Sequence, residues 1–286
     1  MPQWNCGCDN CRLARSGDAR VLPRTQDAIA VRARGDRVLL VNASPDVLRQ
    51  IERSPELHPR AARDTPVAAI ALTNGDLDHV LGLLSLRESQ PLTVLATARV
   101  RAGLVERNAM LRTLARTPDQ IAWRALPIGQ EVAVPDVGVG VTAVAVAGKL
   151  PVHLVGVLAP SPEDNVALRV RDLETGRVLL VATAVGSLDG VERLLEGADA
   201  VLFDGTFWSE DELPAQGLGR GRARDMAHVP IGGPDGSLRR LATWGGRRVY
   251  THVNNTNPVL REGSAERAAV ERAGCEIAFD GMEVAL

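Results

Sequence analysis

Short apolar runs that each close on a polar cluster set the main constraint on this chain. Val67-Ala68-Ala69-Ile70-Ala71-Leu72 runs into Thr73-Asn74-Gly75-Asp76-Leu77-Asp78-His79. Ala200-Val201-Leu202-Phe203 runs into Asp204-Gly205-Thr206, and Arg248-Val249-Tyr250 into Thr251-His252. Runs this short, rich in Val and Ile, read as buried strands rather than helices. Further strands are expected at Ala28-Ile29-Ala30-Val31 and at Val38-Leu39-Leu40-Val41-Asn42, joined by a Gly35-Asp36 turn. Leu92-Thr93-Val94-Leu95-Ala96 and Val178-Leu179-Leu180-Val181-Ala182 read the same way. Helical stretches lie between them. One opens at Ser44-Pro45-Asp46, with Pro at its first helical position. Another follows His79 through Leu84 and Leu86, and a third covers 98–114. Residues 131–181 are rich in Val and punctuated by Gly and Pro, which predicts several antiparallel strands. Residues 210–224 are polar and Gly-rich, which predicts an exposed loop. There is no internal repeat. Strands and helices interspersed in this way predict one α/β domain over residues 1–286. Its chemistry is expected on loops at the strand ends.

Composition narrows the class further. Hydrophobic residues make up 45% and charged residues 24%, as in an ordinary globular protein. Aromatics are only 3%, so the core must come from Val, Leu, Ala and Ile. A net charge of -2 offers no electrostatic footprint for nucleic acid or an acidic membrane surface. No apolar run approaches the ~20 residues of a membrane span, and the start lacks the regions of a signal peptide. The expected compartment is a reducing cytoplasm, where clustered cysteines more often bind metal than form disulfides.

Three of the four cysteines lie in Cys6-Gly7-Cys8-Asp9-Asn10-Cys11. This Cys-x-Cys-x-x-Cys spacing lets three thiolates converge on a soft tetrahedral cation, for which Zn2+ is suited. A fourth ligand must come from elsewhere. No general base neighbours the cluster in sequence, which favours a structural ion over a catalytic one. Cys275 is isolated and reads as core. His58 and His153 read as structural residues.

The loop Asn74-Gly75-Asp76-Leu77-Asp78-His79 sets several oxygen donors and an imidazole on one tight turn. Asp and His together suit a divalent ion of intermediate hardness such as Fe, Mn or Zn. A helix-capping turn would use the same residue types. Asp204 and His252 at the ends of two other strands tip the balance toward a shared site at one sheet edge. His228, in Ala227-His228-Val229-Pro230, is a further candidate.

Together these residues resemble the metallo-β-lactamase superfamily. Its signature, His-x-His-x-Asp-His after a strand, appears here as Asn74-x-Asp76-x-Asp78-His79, with Asp204 matching the bridging Asp and His252 the last His. Pro2-Gln3-Trp4-Asn5-Cys6, Asn42-Ala43-Ser44-Pro45-Asp46, Asp204-Gly205-Thr206 and His252-Val253-Asn254-Asn255-Thr256-Asn257-Pro258 are similar to the PqqB family, coenzyme PQQ synthesis protein B. The resemblance implies an αββα four-layer sandwich. It implies a role in making pyrroloquinoline quinone (PQQ) from a peptide's linked Glu and Tyr. Family chains begin with a strand before Pro-Gln-Trp-Asn, so this chain is expected to lack that first strand. They also carry a small residue where Asp27 stands. A related phosphodiesterase of phosphonate breakdown shares the cysteine motif and takes its fourth zinc ligand three residues after the final active-site His; here that is Asn255.

The resemblance implies a single active-site ion, Fe2+ or another divalent metal, held by Asp78, His79 and His252 in a two-His, one-carboxylate arrangement. Asp204 and Asn74 join the metal set, and Asp76 completes or orients it. His228 is expected to transfer protons. The expected reaction is oxidation, by hydroxylation, of the tyrosine moiety of a Glu-Tyr-derived precursor. Two rival readings are a carrier that moves PQQ or its precursor toward the periplasm and a metal-dependent hydrolase of the phosphodiesterase or lactonase type. The partner is the small-molecule precursor, with neither nucleic acid nor membrane insertion, and with room for a homodimer.

Overall fold

A computed structural model describes residues 1–88, 90–115 and 120–286. The chain divides into two compact units. One comprises residues 26–145 and 149–177. The other comprises 1–25, 146–148 and 178–286.

The first unit is built on β1 (Ile29–Val31), β2 (Val38–Val41), β3 (Val67–Ala71), β4 (Leu92–Ala96) and β5 (Ile121–Ala125), hydrogen-bonded in that order. The β1–β2 pair is antiparallel, with Ile29 opposite Val41, as the Gly35 turn predicts. The remaining neighbours are parallel. Parallel strands buried on both faces need apolar residues throughout. Val38, Leu40, Ile70, Leu92 and Val94 join one core cluster with Val80, Leu83 and Leu104 of the connecting segments. Their alternates Leu39, Val41, Ala69, Ala71 and Leu95 are equally buried. An antiparallel meander follows: β6 (Glu131–Val134), β7 (Val139–Ala145) and β8 (Val166–Asp172).

The second unit holds four parallel strands in the order β12-β11-β10-β9: β9 (Val178–Ala182), β10 (Ala200–Asp204), β11 (Arg247–Thr251) and β12 (Glu276–Ile277). Register sets Phe203 opposite Tyr250 and Asp204 opposite Thr251. Phe203 and Tyr250 are both fully buried and meet edge to face, with ring centroids 6.4 Å apart. Neighbouring parallel strands therefore present their polar C-terminal residues side by side.

The chain departs from the sequence reading at several points. The helix after β2 is Val47–Arg53, with Asp46 as its N-cap, so Pro45 precedes the helix rather than opening it. Ser44 Oγ instead accepts from the Asp46 N–H at 3.3 Å and makes a turn. The helix expected over 98–114 breaks up. An α-turn at Ala98–Arg101 passes into a π segment at Ala102–Glu106 and a 3-10 turn at Leu111–Ala115. Gly103 weakens the helix there, and any Cβ on it would meet Leu154 Cδ1 at 2.6 Å. Within 131–181, β9 is parallel rather than antiparallel. The 210–224 segment is not all exposed: Glu212–Ala215 is helical and Glu212 is buried. Among the described residues, no helix is long and apolar enough to cross a membrane.

Gly82 fixes how the segment after His79 lies on the end of β2. Its N–H donates to Ala43 O at 2.9 Å, and an added Cβ would collide with the carbonyl oxygens of Ala43 and Ser44. Gly82→Ala should therefore cost about 3 kcal/mol, because the obstruction is backbone rather than a movable side chain. Urea denaturation compared with the parent chain checks this value, and a loss within experimental error would contradict the packing.

Candidate metal centres

The cysteine cluster forms around the start of the helix Asp9–Ser16. Cys8 is the N-cap and Cys11 is buried in the first turn. Cys6 lies on the preceding turn, where Arg15 donates to its carbonyl at 2.6 Å and also bonds Gln3 O. The three sulfurs lie within 4.8 Å of one another. Asn255 brings its amide Nδ2 to 3.2 Å from Cys6 Sγ, 3.6 Å from Cys8 Sγ and 3.4 Å from Cys11 Sγ. Burial opposes a Cys6 thiolate, but the Cys8 N–H, the neighbouring thiols and Asn255 outweigh it and lower the Cys6 pKa. Burial first of all pushes the Cys8 thiol up to about 11. Of these two thiols, Cys6 is the more acidic.

This donor set fits a zinc ion. Tetrahedral ligation at the usual Zn–S length separates sulfurs by about 3.8 Å, compatible with the observed convergence. The Asn255 amide sits where a fourth ligand belongs. Amide O and N are equal in size, so a half-turn of this side chain turns Oδ1 toward the sulfurs.

The same unit holds a second cluster, in which Asp204, His228 and His252 bring ligand atoms within 4.8 Å of one another. Asp204 is fully buried at the end of β10 and accepts four hydrogen bonds. Oδ1 takes Thr206 N–H at 3.0 Å and Thr206 Oγ1 at 2.6 Å. Oδ2 takes Val185 N–H at 2.8 Å and His228 Nδ1 at 2.7 Å. Burial alone would raise this carboxyl; the His228 charge and hydrogen bond, His252 and Thr206 together hold it below the ordinary carboxylate range. Thr206 Oγ1 also meets His252 Nδ1 at 2.8 Å. The threonine hydroxyl has one proton, and its shortest contact gives that proton to Asp204. His252 must then donate from Nδ1, which puts its lone pair on Nε2. The His228 and His252 rings stack, with centroids 5.5 Å apart. His252 itself has φ 54, a backbone conformation uncommon outside glycine and held here by these contacts.

The 74–79 loop, in the other unit, repeats the device. Asp27 Oδ2 accepts from Asn42 Nδ2 at 3.0 Å, which fixes the Asn42 amide with Oδ1 toward Thr73. Thr73 N–H and Oγ1–H both donate to that oxygen at 3.0 Å. Thr73 Oγ1 must therefore accept from His79 Nδ1, 2.9 Å away, so His79 too bears its lone pair on Nε2. Asp78 Oδ2 lies 3.6 Å from His79 Nε2. Asn74 is buried with both ends of its amide engaged: Oδ1 accepts from Asp76 N–H at 2.9 Å, and Nδ2 donates to Asn165 Oδ1 at 3.2 Å. Asp76 is the N-cap of the turn Leu77–Val80 and makes no side-chain cap bond.

The sequence singled out the cysteines and histidines but missed the residues that orient them. Thr73, Thr206, Asn42, Asn10 and Glu212 are ordinary polar types, and only their place directly after apolar runs could have marked the first three. Asp27, noticed only as a departure from the family pattern, proves to anchor the chain of bonds ending at His79. Of the other histidines, His58 Nε2 meets Glu52 O at 3.0 Å and His153 sits on the turn Val152–Leu154. Cys275 is buried in the core.

A β-lactamase superfamily domain model matches residues 37–253, and the chain belongs to that superfamily. The likeness is far closer to one branch of it. A coenzyme PQQ synthesis protein B from Ruegeria pomeroyi is 43% identical over 289 residues, covering 100% of this chain and 96% of its own length. The crystal structure of Zn(2+)-bound PqqB from Methylobacterium extorquens superposes with a TM-score of 0.91 at 40% identity, covering 100% of this chain and 95% of the other. Within the superfamily, this chain is a member of the coenzyme PQQ synthesis protein B family, with the metallo-β-lactamase α/β fold. A diphosphatase of the PhnP family matches at TM-score 0.67 and 17% identity, over 99% of this chain and 90% of the other, and shares the fold.

Two expected outcomes follow from the side-chain networks. Asp27→Ala should release Asn42 and mix the Nδ1–H and Nε2–H tautomers of His79, at a cost of about 1 kcal/mol. The imidazole 15N spectrum checks this, and an unchanged single tautomer would contradict it. Glu212 accepts from Trp208 N–H at 2.6 Å and from Thr256 Oγ1, yet burial pushes its carboxyl up to about 7. A carboxyl raised on folding stabilises the fold fully below its unfolded pKa, and the benefit is lost as pH rises through about 7. The parent should lose up to about 3 kcal/mol between pH 5 and 8 from this group, and Glu212→Gln should flatten that slope in pH-dependent urea melts.

Proposed function

We propose that this chain acts in pyrroloquinoline quinone biosynthesis as a cytoplasmic, metal-dependent enzyme that hydroxylates the tyrosine ring of a Glu-Tyr-derived precursor. Full-length kinship with coenzyme PQQ synthesis protein B supports the biosynthetic role. The Zn(2+)-bound relative supports a divalent ion in the fold. On this reading residues 1–286 work as one catalytic domain.

The observation that carries the proposal is the paired tautomer control. Threonine hydroxyls after β3 and β10 each hold the Nδ1 of a histidine, His79 and His252, an arrangement that favours the tautomer able to ligate through Nε2. In the proposal Asp78, His79 and His252 hold an Fe2+ or similar ion, which supplies activation of dioxygen when bound. Asp204, saturated by four donors, orients His228 and Thr206. His228 donates Nδ1–H to Asp204, so its Nε2 is the atom that takes up or returns a proton from the phenol. Asp76, with no capping duty, completes or orients the ion's surroundings. Zinc occupies Cys6, Cys8, Cys11 and Asn255 as a structural ion. Two-metal hydrolysis draws no support from Asn74, whose amide is spent on Asp76 and Asn165.

The test is anaerobic reconstitution with Fe(II), then exposure to oxygen with ascorbate and a Glu-Tyr-derived substrate. A ring-hydroxylated product is expected by mass spectrometry, reduced at least about 100-fold in His252→Ala. Bound iron without product would reject the hydroxylase.

A further inference from the structure

We infer that the cysteine-bound ion does more than stabilise the fold: through Asn10 and the 252–257 loop, it sets the position of His252 and so the metal affinity of the imidazole site. The inference rests on the proposed role of His252 as a metal ligand. Both ends of the coupling lie in one compact unit.

The loop carries a residue for each site. Asn255 touches all three sulfurs, and three positions earlier His252 belongs to the Asp204 cluster. So short a segment can serve both only if its backbone is held, and its carbonyls and side chains are accounted for almost one by one. Asn10, on the same helix as Cys11, is buried and donates from Nδ2 to Asn255 O at 3.0 Å and to Asn257 O at 2.8 Å. Asn257 is buried as well; its Nδ2 reaches Gly205 O at 2.9 Å. Asn254 N–H donates to Thr206 O at 3.0 Å. Thr206 closes the circuit, its Oγ1 accepting from His252 Nδ1 at 2.8 Å. From the far side, Glu212 holds Thr256 through its hydroxyl, and Gln216 Nε2 reaches Thr256 O at 3.2 Å.

These bonds make a continuous physical connection from the sulfurs to the imidazole. Cys11 and Asn10 move together because they share one helical turn. A shift of that turn withdraws Asn10 from two loop carbonyls and leaves His252 with a left-handed backbone that fewer contacts enforce. Asn10 is therefore a positioning residue for a histidine more than 240 residues away in sequence. Coupling of this kind is reciprocal: each ion must tighten the other's site by the same factor.

Mn(II) is a suitable probe of the imidazole site, because it prefers oxygen and nitrogen donors to thiolate. Electron paramagnetic resonance titration of the zinc-loaded full chain gives the parent affinity. Asn10→Ala, shown by elemental analysis to keep its zinc, is expected to bind Mn(II) at least about tenfold more weakly. Saturating Mn(II) should also slow zinc loss to a chelator in the parent and not in the variant. Equal Mn(II) affinity in parent and zinc-loaded variant would overturn the inference. If Asn10→Ala does not fold, the 15N signals of His252 in the parent decide it. Zinc removal should disturb the Nδ1–H bonded to Thr206, and an undisturbed signal overturns the coupling. His252→Ala separates the two claims, since Mn(II) binding that survives that change defeats the metal role of His252 itself.

Discussion

The arrangement depends on a hydroxyl proton that can go only one way. At the end of β10, Thr206 gives its proton to a buried carboxylate, and at the end of β3, Thr73 gives its own to an amide oxygen pinned by Asp27. In both places the neighbouring imidazole is left to donate from Nδ1. A histidine that flipped or changed tautomer would present a proton instead of a lone pair to a cation. Strand register places both threonines where a carboxylate, Asp204 directly and Asp27 through Asn42, settles the direction of the hydroxyl proton. Asp204 is the clearest case: its four hydrogen bonds serve to hold its neighbours still.

Much of this was legible in the sequence because the strands are buried on both faces. Continuous apolar runs such as Val67–Ala71 and Val178–Ala182 have few other readings, and the polar residues after them were natural candidates for a site. The cysteine motif was legible because ligand spacing is local. The failures also have physical causes. The 98–114 stretch has helical periodicity, but Gly103 gives way to the packing of Leu154, a residue remote in sequence. Glu212 looked like part of a solvated loop because its burial depends on Thr256 and the Trp208 backbone. Asn10 acts through main-chain carbonyls, which have no sequence signature at all.

Asn74 shows how a superfamily position can be reused. Where the metallo-β-lactamase pattern has histidine, this chain has an amide that satisfies a backbone N–H and a cross-strand partner. An amide is a poor ligand but a good clamp, since it donates and accepts at once. The loop keeps its shape while giving up one donor, and the neighbouring Asp78 and His79 are the residues for which metal ligation is proposed.

The span between Asn10 and Asn257 bears on how the polypeptide matures. These partners are 247 residues apart, so the thiolates leave the ribosome long before the amide that faces them. Long-range closures come late in folding and expose unfinished parts meanwhile. Until the final loop is made, the three thiols are an open, reactive trio able to take up soft ions or be oxidised. The 252–257 loop can thus close over the sulfurs only after most of the chain has been made, and the thiols stand open until it does.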